Sequence, residues 1–531
     1  MITNGPAGGQ NNFLYLNNGT GFIAVNNDTI VKDGKPSDGA TWADTDNDGD
    51  IDCFVANWYN MIGLYYTNNG NGTFTYQANA GLTNGITYAE TASWGDYDND
   101  GLLDLYVARS GGTLATNKNF LFHNDGNNSF TKVTTGAPVN DAFVSRSVNW
   151  TDADSDGDLD LFVSNEDVSN NNENFYRNDG GGNFVKLTSG TLLNDGRKTM
   201  SSSWADYDND GDMDVFLANE NSNNALYRNE GNFNFTKIIN DTISKGTANS
   251  FSAAWSDVDN DGDLDLFATN SFVSNTKLPC LFYLNNGNSS FTRVSNHTLT
   301  ADSGWTYGCA FGDYDNDGFE DLAVATCRFQ SQDQVDYLYH NDGNSNGWIT
   351  IKLIGTTSNK SAIGAKVRLK ANINGSSIWQ MRELSAQSSY CGQNDLRAHF
   401  GLGNASTIDS LKIEWPSGLV QHFDSISINQ FISVIEGQNP AGIDKIKSVN
   451  QFTISPNPVG NKLFISQTKL LAGDLLVFMS GKGDTLSQLT ISASTNKLEI
   501  DLKKQGIEKS GIYFLSIVSK LGVRTQQFIK L

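Results

Sequence analysis

Residues 42–57 read WADTDNDGDIDCFVAN, and Asp44, Asp46, Asp48, Asp50 and Asp52 fall on alternate positions within it. Like charges this close repel, so a folded chain needs a reason to keep them together. The string returns five more times: DYDNDGLLD (96–104), DADSDGDLD (152–160), DYDNDGDMD (206–214), DVDNDGDLD (257–265) and DYDNDGFED (313–321). Successive first aspartates lie 52, 56, 54, 51 and 56 residues apart. An aromatic residue stands two positions ahead of each: Trp42, Trp94, Trp150, Trp204, Trp255 and Phe311. An apolar run of strand-like composition follows each loop, such as DLFVSN or DVFLAN.

A second string interleaves with the first: FLYLNNG (13–19), LYYTNNG (64–70), LFHNDG (121–126), FYRNDG (175–180), LYRNEG (226–231), FYLNNG (282–287) and LYHNDG (338–343). Short runs such as SFTKV or NFVKL come after most copies. Each repeat therefore predicts about four short strands: before the Asp loop, after it, at LYxNxG and at FTKV. Four-stranded units repeated around an axis are propeller blades. A pitch near 54 residues is too long for leucine-rich or ankyrin repeats.

D-x-D-x-D-G-x-x-D is calcium-loop chemistry, because calcium takes six to eight oxygen ligands. Side chains at positions 1, 3, 5 and 9 and the carbonyl at position 7 can supply most of them. Glycine at position 6 permits the sharp turn. The expected ligand sets are Asp44, Asp46, Asp48, Asp50 and Asp52; Asp96, Asp98, Asp100, Leu102 and Asp104; Asp152, Asp154, Asp156, Asp158 and Asp160; Asp206, Asp208, Asp210, Asp212 and Asp214; Asp257, Asp259, Asp261, Asp263 and Asp265; and Asp313, Asp315, Asp317, Phe319 and Asp321. Leu102 and Phe319 can offer only their carbonyls, so position 7 needs no carboxylate, and its aspartates should point outward. An EF-hand loop needs an oxygen ligand at position 12. Here that position holds Val55, Val107, Val163, Leu217, Ala268 and Val324, so the loop closes through position 9 inside a hairpin. About six Ca2+ sites are expected, taking the formal charge from −23 to −11.

These repeats resemble the FG-GAP/VCBS repeats of integrin-α-type calcium propellers over roughly residues 1–345. The resemblance implies structural calcium sites on one face and a ligand surface usually on the opposite one. Residues 346–437 are similar to the ASPIC/UnbV domain of cartilage-acidic-protein-like proteins. The matching residues are Gly364 and Ala365 in IGAKV, His399 to Gly403 in HFGLG, and Trp415 to Gly418 in WPSG. His399 reads as a core histidine hydrogen-bonded to backbone, with ligand binding as the alternative. Residues 438–451 read as a linker. Residues 452–531 resemble a type A sorting domain of the type IX secretion system, with SPNPVG at 455–460, GIYF at 511–514 and a lysine near the end. By composition this last part is a small β-sandwich. The resemblance implies export across a gram-negative outer membrane by the type IX machinery, then removal of this domain. It should fold apart from the propeller, with little holding the two together.

The fold class expected is all-β: a seven-bladed propeller, a small β domain and a C-terminal β-sandwich. Seven LYxNxG strings face only six Asp loops, and MITN aligns with FVAN, FVSN and FLAN. The first blade therefore reads as entered just after a calcium loop, with a signal peptide expected upstream. The alternative is a six-bladed ring with a loose first hairpin.

A net charge of −23 disfavours nucleic acid and anionic membrane surfaces as partners. No apolar run approaches the ~18 residues of a transmembrane span. The five cysteines are too scattered for a disulfide framework or a zinc site; Cys309 and Cys327 flank one loop and could pair, though free thiols are favoured. His123 and His340 share one repeat position and read as strand-surface substitutions. With no catalytic constellation in view, the reading is a monomeric, secreted or cell-surface binding or adhesion protein for an extracellular glycan or protein. The alternative is a lyase-type, polysaccharide-degrading enzyme on the same scaffold. The aromatic row reads as packing between blades rather than as glycan platforms.

Overall fold

The computed structural model describes residues 1–531 apart from 7, 20, 83–84, 86, 112–116, 167–171, 247, 302, 328–333, 443–451, 467–469, 481–484 and 520–521. The repeats fold as anticipated into antiparallel four-stranded sheets. Blade 1 is Ser37–Ala43, Asp52–Asn57, Leu64–Asn68 and Phe74–Tyr76, hydrogen-bonded in that order. Blades 2 to 5 repeat it, with inner strands Ala89–Gly95, Ser145–Thr151, Thr199–Ala205 and Ala253–Ser256. Blade 6 holds Ser303–Gly312, Asp321–Cys327 and Tyr337–Tyr339, and the hairpin Phe272–Val273 with Thr276–Pro279 extends its sheet beyond the inner strand; no FTKV-type strand follows among the described residues. A two-stranded hairpin, Leu14–Asn17 with Phe22–Val25, precedes blade 1.

Each second strand is apolar at nearly every position because both its faces are covered. Asp160–Asn165 and Asp214–Asn219 are buried throughout. The apolar cores accordingly lie between blades: Phe54 and Tyr65 of blade 1 share one cluster with Trp94, Leu105 and Phe122 of blade 2. Trp94 is fully buried, and its indole N–H donates to the Thr41 carbonyl of the preceding blade at 3.4 Å. Trp150 and Trp255 make the same bond to Ser93 and Ser203. The aromatic row therefore packs between blades, although Trp42 and Trp204 stay half-buried.

The ring holds together through a residue whose role sequence reading did not assign. In five of the seven LYxNxG strings the asparagine bridges two Asp loops, while Asn68 Nδ2 donates only to Ile51 O of its own loop among the described residues. Asn229 Nδ2 donates to Met213 O of its own loop (3.2 Å) and to Ala153 O of the preceding one (2.8 Å), and Oδ1 accepts from Gly231 N. Asn124, Asn178, Asn285 and Asn341 repeat the bridge. Asn17 of the first hairpin donates to Tyr314 O in the sixth loop, so that hairpin follows blade 6 as each blade follows its predecessor. A cavity of about 320 Å³ lies beside it, between blades 6 and 1, lined by Met1, Ile2, Trp42, Ala310 and Val324. Asn229→Ala would strand two buried carbonyls and one N–H. It should lower stability by about 3 kcal/mol, read by urea unfolding.

Residues 347–435, with the short strand Ala441–Gly442, form two four-stranded sheets around one core of Ile349, Val367, Leu369, Phe400, Leu411 and Val434. One sheet contains a parallel pair, Gly347–Ile354 with Gln430–Ile435. The segment 384–397, between strands Ser376–Glu383 and Ala398–Gly403, leaves this unit and runs along the axis of the propeller. It touches the inner strand of every blade. Ala386 O accepts from Thr41 Oγ1 (2.9 Å), Gln387 O from Asn149 Nδ2 (2.8 Å) and Ser388 O from Ser203 Oγ (2.9 Å). Ser389 Oγ donates to Cys309 O, Asn394 Nδ2 to Trp255 O, and Tyr390 OH to Glu90.

The C-terminal part holds a three-stranded and a four-stranded sheet that share a core including Phe452, Leu476, Phe478, Leu515 and Phe528. Ile23 of the first hairpin packs against Val477, Met479 and Val518 there. Most of the proposed linker lies outside the described residues. None of the five cysteines is in a disulfide; Cys309 faces Val324 and Cys327 faces Trp305, so the two are out of register.

Candidate metal centres

All six Asp loops close in the same way. The first aspartate accepts two backbone N–H groups, from positions 5 and 6; in loop 4 these are Asp210 N to Asp206 Oδ1 (3.0 Å) and Gly211 N to Asp206 Oδ2 (3.1 Å). The fifth accepts from position 7, here Asp212 N to Asp210 Oδ1. The ninth accepts from position 2 and from the LYxNxG asparagine: Tyr207 N at 3.2 Å and Asn229 N at 2.7 Å on Asp214. Each carboxylate oxygen keeps a lone pair after these bonds. The glycine at position 6 has φ between 89° and 104° in the six copies. Position 4 is also left-handed, at Asn47, Asn99, Ser155, Asn209, Asn260 and Asn316. Asparagine tolerates that conformation better than most residues; its recurrence was the available signal.

Oxygens of Asp44, Asp46 and Asp48, of Asp96, Asp98 and Asp104, and of Asp152, Asp154 and Asp160 converge within 4.8 Å. At the third position, Oδ1 of Asp98, Asp154, Asp208 and Asp259 is buried with no hydrogen-bond partner. Buried acceptors left unpaired are costly unless something else satisfies them. The donor set is all oxygen, several carboxylates per loop, and suits a hard divalent cation such as calcium. Desolvation by burial raises these groups: Asp96 to about 8, Asp104 to about 7, Asp160 to about 9 and Asp206 to about 7. Neighbouring aspartates push the same way at Asp96 and Asp206. A bound cation would relieve both effects.

The position-7 aspartates do not all face solvent. Asp158 accepts from Asn99 Nδ2 (2.6 Å) and Asp263 from Asn209 Nδ2 (3.0 Å), each from the preceding loop. His123 and His340 are more than surface substitutions. His123 Nδ1 lies 3.2 Å from Asp104 and 3.4 Å from Asp98, and its pKa rises to about 9, chiefly through the bond to Asp104. His340 Nδ1 lies 3.1 Å from Asp321. Both imidazoles stand over the loops whose seventh residue is Leu102 or Phe319.

The fifth loop meets the 347–435 unit through His399. Its Nε2 lies 2.7 Å from Asn260 Oδ1 and its Nδ1 2.9 Å from Thr350 Oγ1, so its partners are side chains rather than backbone. Burial, then Arg382 and Arg397, lower it to about 3, and it is neutral.

Comparison with family models matches an FG-GAP-like repeat at residues 44–107, 152–217, 206–268 and 279–324, and ASPIC and UnbV at 355–441. The chain carries FG-GAP-like repeats and an ASPIC/UnbV domain. Cartilage acidic protein 1 of Mus musculus is 27% identical over 297 residues, covering 54% of this chain and 44% of its own length. The Homo sapiens protein of that name is 25% identical over 296 residues, covering 54% and 43%. The chain thus spans less than half the length of these curated relatives. Among solved structures, an Agrocybe aegerita lectin described as recognising non-reducing terminal N-acetylglucosamine matches at TM-score 0.42 and 15% identity, covering 64% of this chain and 92% of that one. The six-bladed Aleuria aurantia lectin matches at 0.32 and 12%, covering 57% and 96%. The FG-GAP blades lie with their Asp loops against the ASPIC/UnbV domain. Among the described residues no helix is long and apolar enough to cross a membrane.

If the FG-GAP loops hold calcium, Asp208→Asn removes one third-position carboxylate. Calcium counted by titration calorimetry should fall from about six to about five ions per chain, with the other sites unchanged.

Proposed function

We propose that this protein is a calcium-stabilised, secreted or surface-exposed binding protein that presents the ring face away from its Asp loops to an extracellular glycan or protein. The observation that carries this reading is coverage. The ASPIC/UnbV domain lies over the loop face and its 384–397 segment fills the axis, so a large ligand has the far face and the blade edges left to meet. Glu90, on the inner strand of blade 2, is engaged by Arg146 (2.6 Å), Ser110 and Tyr390. That arrangement supports an anchored insert more readily than an acid–base pair awaiting substrate.

The ring reads as seven positions, with the first hairpin in the seventh. The Asn17–Tyr314 bridge and the cavity beside Trp42 support this over a six-bladed ring with a loose hairpin. We read residues 452–531 as the type IX export address, which places the protein at the outer surface of a gram-negative bacterium or beyond it.

The whole chain should be probed on an array of glycans and matrix proteins, with calcium and with chelator. Calcium-dependent capture of one ligand class is expected; capture of nothing in either condition would remove the binding reading. For export, deleting 452–531 should trap the protein in the periplasm of a type IX-competent host. A deletion variant that still reaches the medium would overturn the localisation.

A further inference from the structure

We propose that filling of the Asp loops and seating of the ASPIC/UnbV domain are one linked equilibrium, so that calcium controls whether the 384–397 segment occupies the propeller axis. This rests on the calcium reading and adds a regulation to it. The domain touches every loop. In loop 1, Asp44 N donates to Ser361 Oγ (2.9 Å). At loop 2 the backbones meet so closely that a Cβ on Gly101 would lie 2.6 Å from the Thr357 carbonyl. Loop 3 takes Lys366 Nζ on Asp152 O (3.0 Å) and Oδ2 (2.9 Å). Loop 4 takes Arg368 on Gly211 O (3.1 Å), and in loop 5 Gly401 N donates to Asp257 Oδ2 (3.1 Å). Loop 6 takes Arg397 on Asp313 O (2.9 Å) and on Asn316 Oδ1 (2.8 Å).

Two effects oppose each other. Calcium neutralises the loops, which weakens their attraction for the domain's cations. Calcium also fixes loop shape, which the six contacts require together. Shape should win, because the contacts are mostly not ion pairs. Arg368 and Arg397 reach these loops through carbonyls and an asparagine, and Lys366 alone pairs directly with a first-position aspartate; Arg382 faces Asp206 and Asp257 only through space, without an ion-pair contact among the described residues. The loops are also chained together. Asn47 Nδ2 donates to Gly101 O (3.0 Å), Asn209 Nδ2 to Gly262 O (3.2 Å) and Asn260 Nδ2 to Gly318 O (3.0 Å), each in the next loop. A loop that loses its shape therefore disturbs its neighbour and the seat above both.

The test is hydrogen exchange on the full chain across a calcium titration, paired with calorimetry on the same samples. At calcium levels where strands such as Asp160–Asn165 stay protected, amides of 384–397 should exchange about tenfold or more faster than at saturation. By reciprocity, a variant that unseats the segment, such as Gln393→Ala with Asn394→Ala, neither of them in a loop, should weaken calcium binding by up to the factor by which calcium protects the segment in the parent chain. Ser361→Ala offers a milder variant for the same comparison. Calcium heat with unchanged protection of 384–397 across the titration would overturn the linkage and leave the calcium reading standing. A segment fully unseated by the double substitution, with calcium affinity unaltered, would overturn it too. No calcium heat at all would remove both readings.

Discussion

In excess chelator the protein should melt far below its temperature in millimolar calcium. Each filled site adds about 2.7 kcal/mol when free calcium is a hundredfold above its dissociation constant. Six such sites amount to about 16 kcal/mol, comparable to the whole stability of an ordinary domain. The pH dependence has a definite sign. Without metal, Asp44 and Asp208 are raised to about 6, Asp52 and Asp206 to about 7, and Asp160 to about 9, desolvation being the leading cause in each. Unfolded aspartate titrates near 3.9. These groups therefore favour the metal-free fold at low pH, and that contribution disappears as pH rises through about 6 to 9. Calcium requires the same carboxylates ionised, so its contribution grows over the same window. The melting difference between calcium and chelator should be largest near pH 8 and shrink towards pH 5. Scanning calorimetry at both pH values checks this. Equal melting in calcium and chelator would defeat the metal reading.

Trp94→Ala should cost about 3–5 kcal/mol in calcium, measured by urea unfolding. Trp94 is fully buried, with the rings of Phe54, Tyr65 and Phe130 at 6.5, 6.1 and 5.9 Å. Its indole N–H also bridges to blade 1. Trp204 occupies the same register but stays half-buried, and its N–H has no partner. It borders a cavity of about 140 Å³ beneath the ASPIC/UnbV domain, together with Trp150, Trp255 and Arg382. Trp204→Ala should therefore cost clearly less, about 2 kcal/mol. If Trp94→Ala left stability unchanged and abolished ligand capture instead, the row would be a binding surface and not a packing element.

The Asp loops and the strand order were legible in the sequence because both are local. A loop closes within nine residues, and its spacing alone states which oxygens converge. The Trp row was legible because register repeats. The position-4 and LYxNxG asparagines recur just as regularly, yet their partners lie in the neighbouring blade, so only the folded ring shows what they do. Asn229 reaches Ala153 across 76 residues. The segment 384–397 was less accessible still: Thr41 meets Ala386 across 345 residues. Nothing in SAQSSYCGQNDL marks it as the filling of a ring. His123 and His340 were misjudged for a related reason, since a position that varies between copies looks superficial until the carboxylates beneath it are seen.

The axial segment has a consequence for how this family of repeats can change. A ring of similar blades has near-rotational symmetry, but a single strand of chain along its axis has none. Each inner strand must answer a different part of it: Thr41 in blade 1, Glu90 in blade 2, Asn149 in blade 3, Ser203 in blade 4, Trp255 in blade 5 and Cys309 in blade 6. The blades therefore stay alike around the rim and diverge at the hub. Copies of one blade could not replace the others without losing the insert. In this protein, duplication and shuffling of whole repeats are closed off by fourteen residues, 384–397, that belong to another domain.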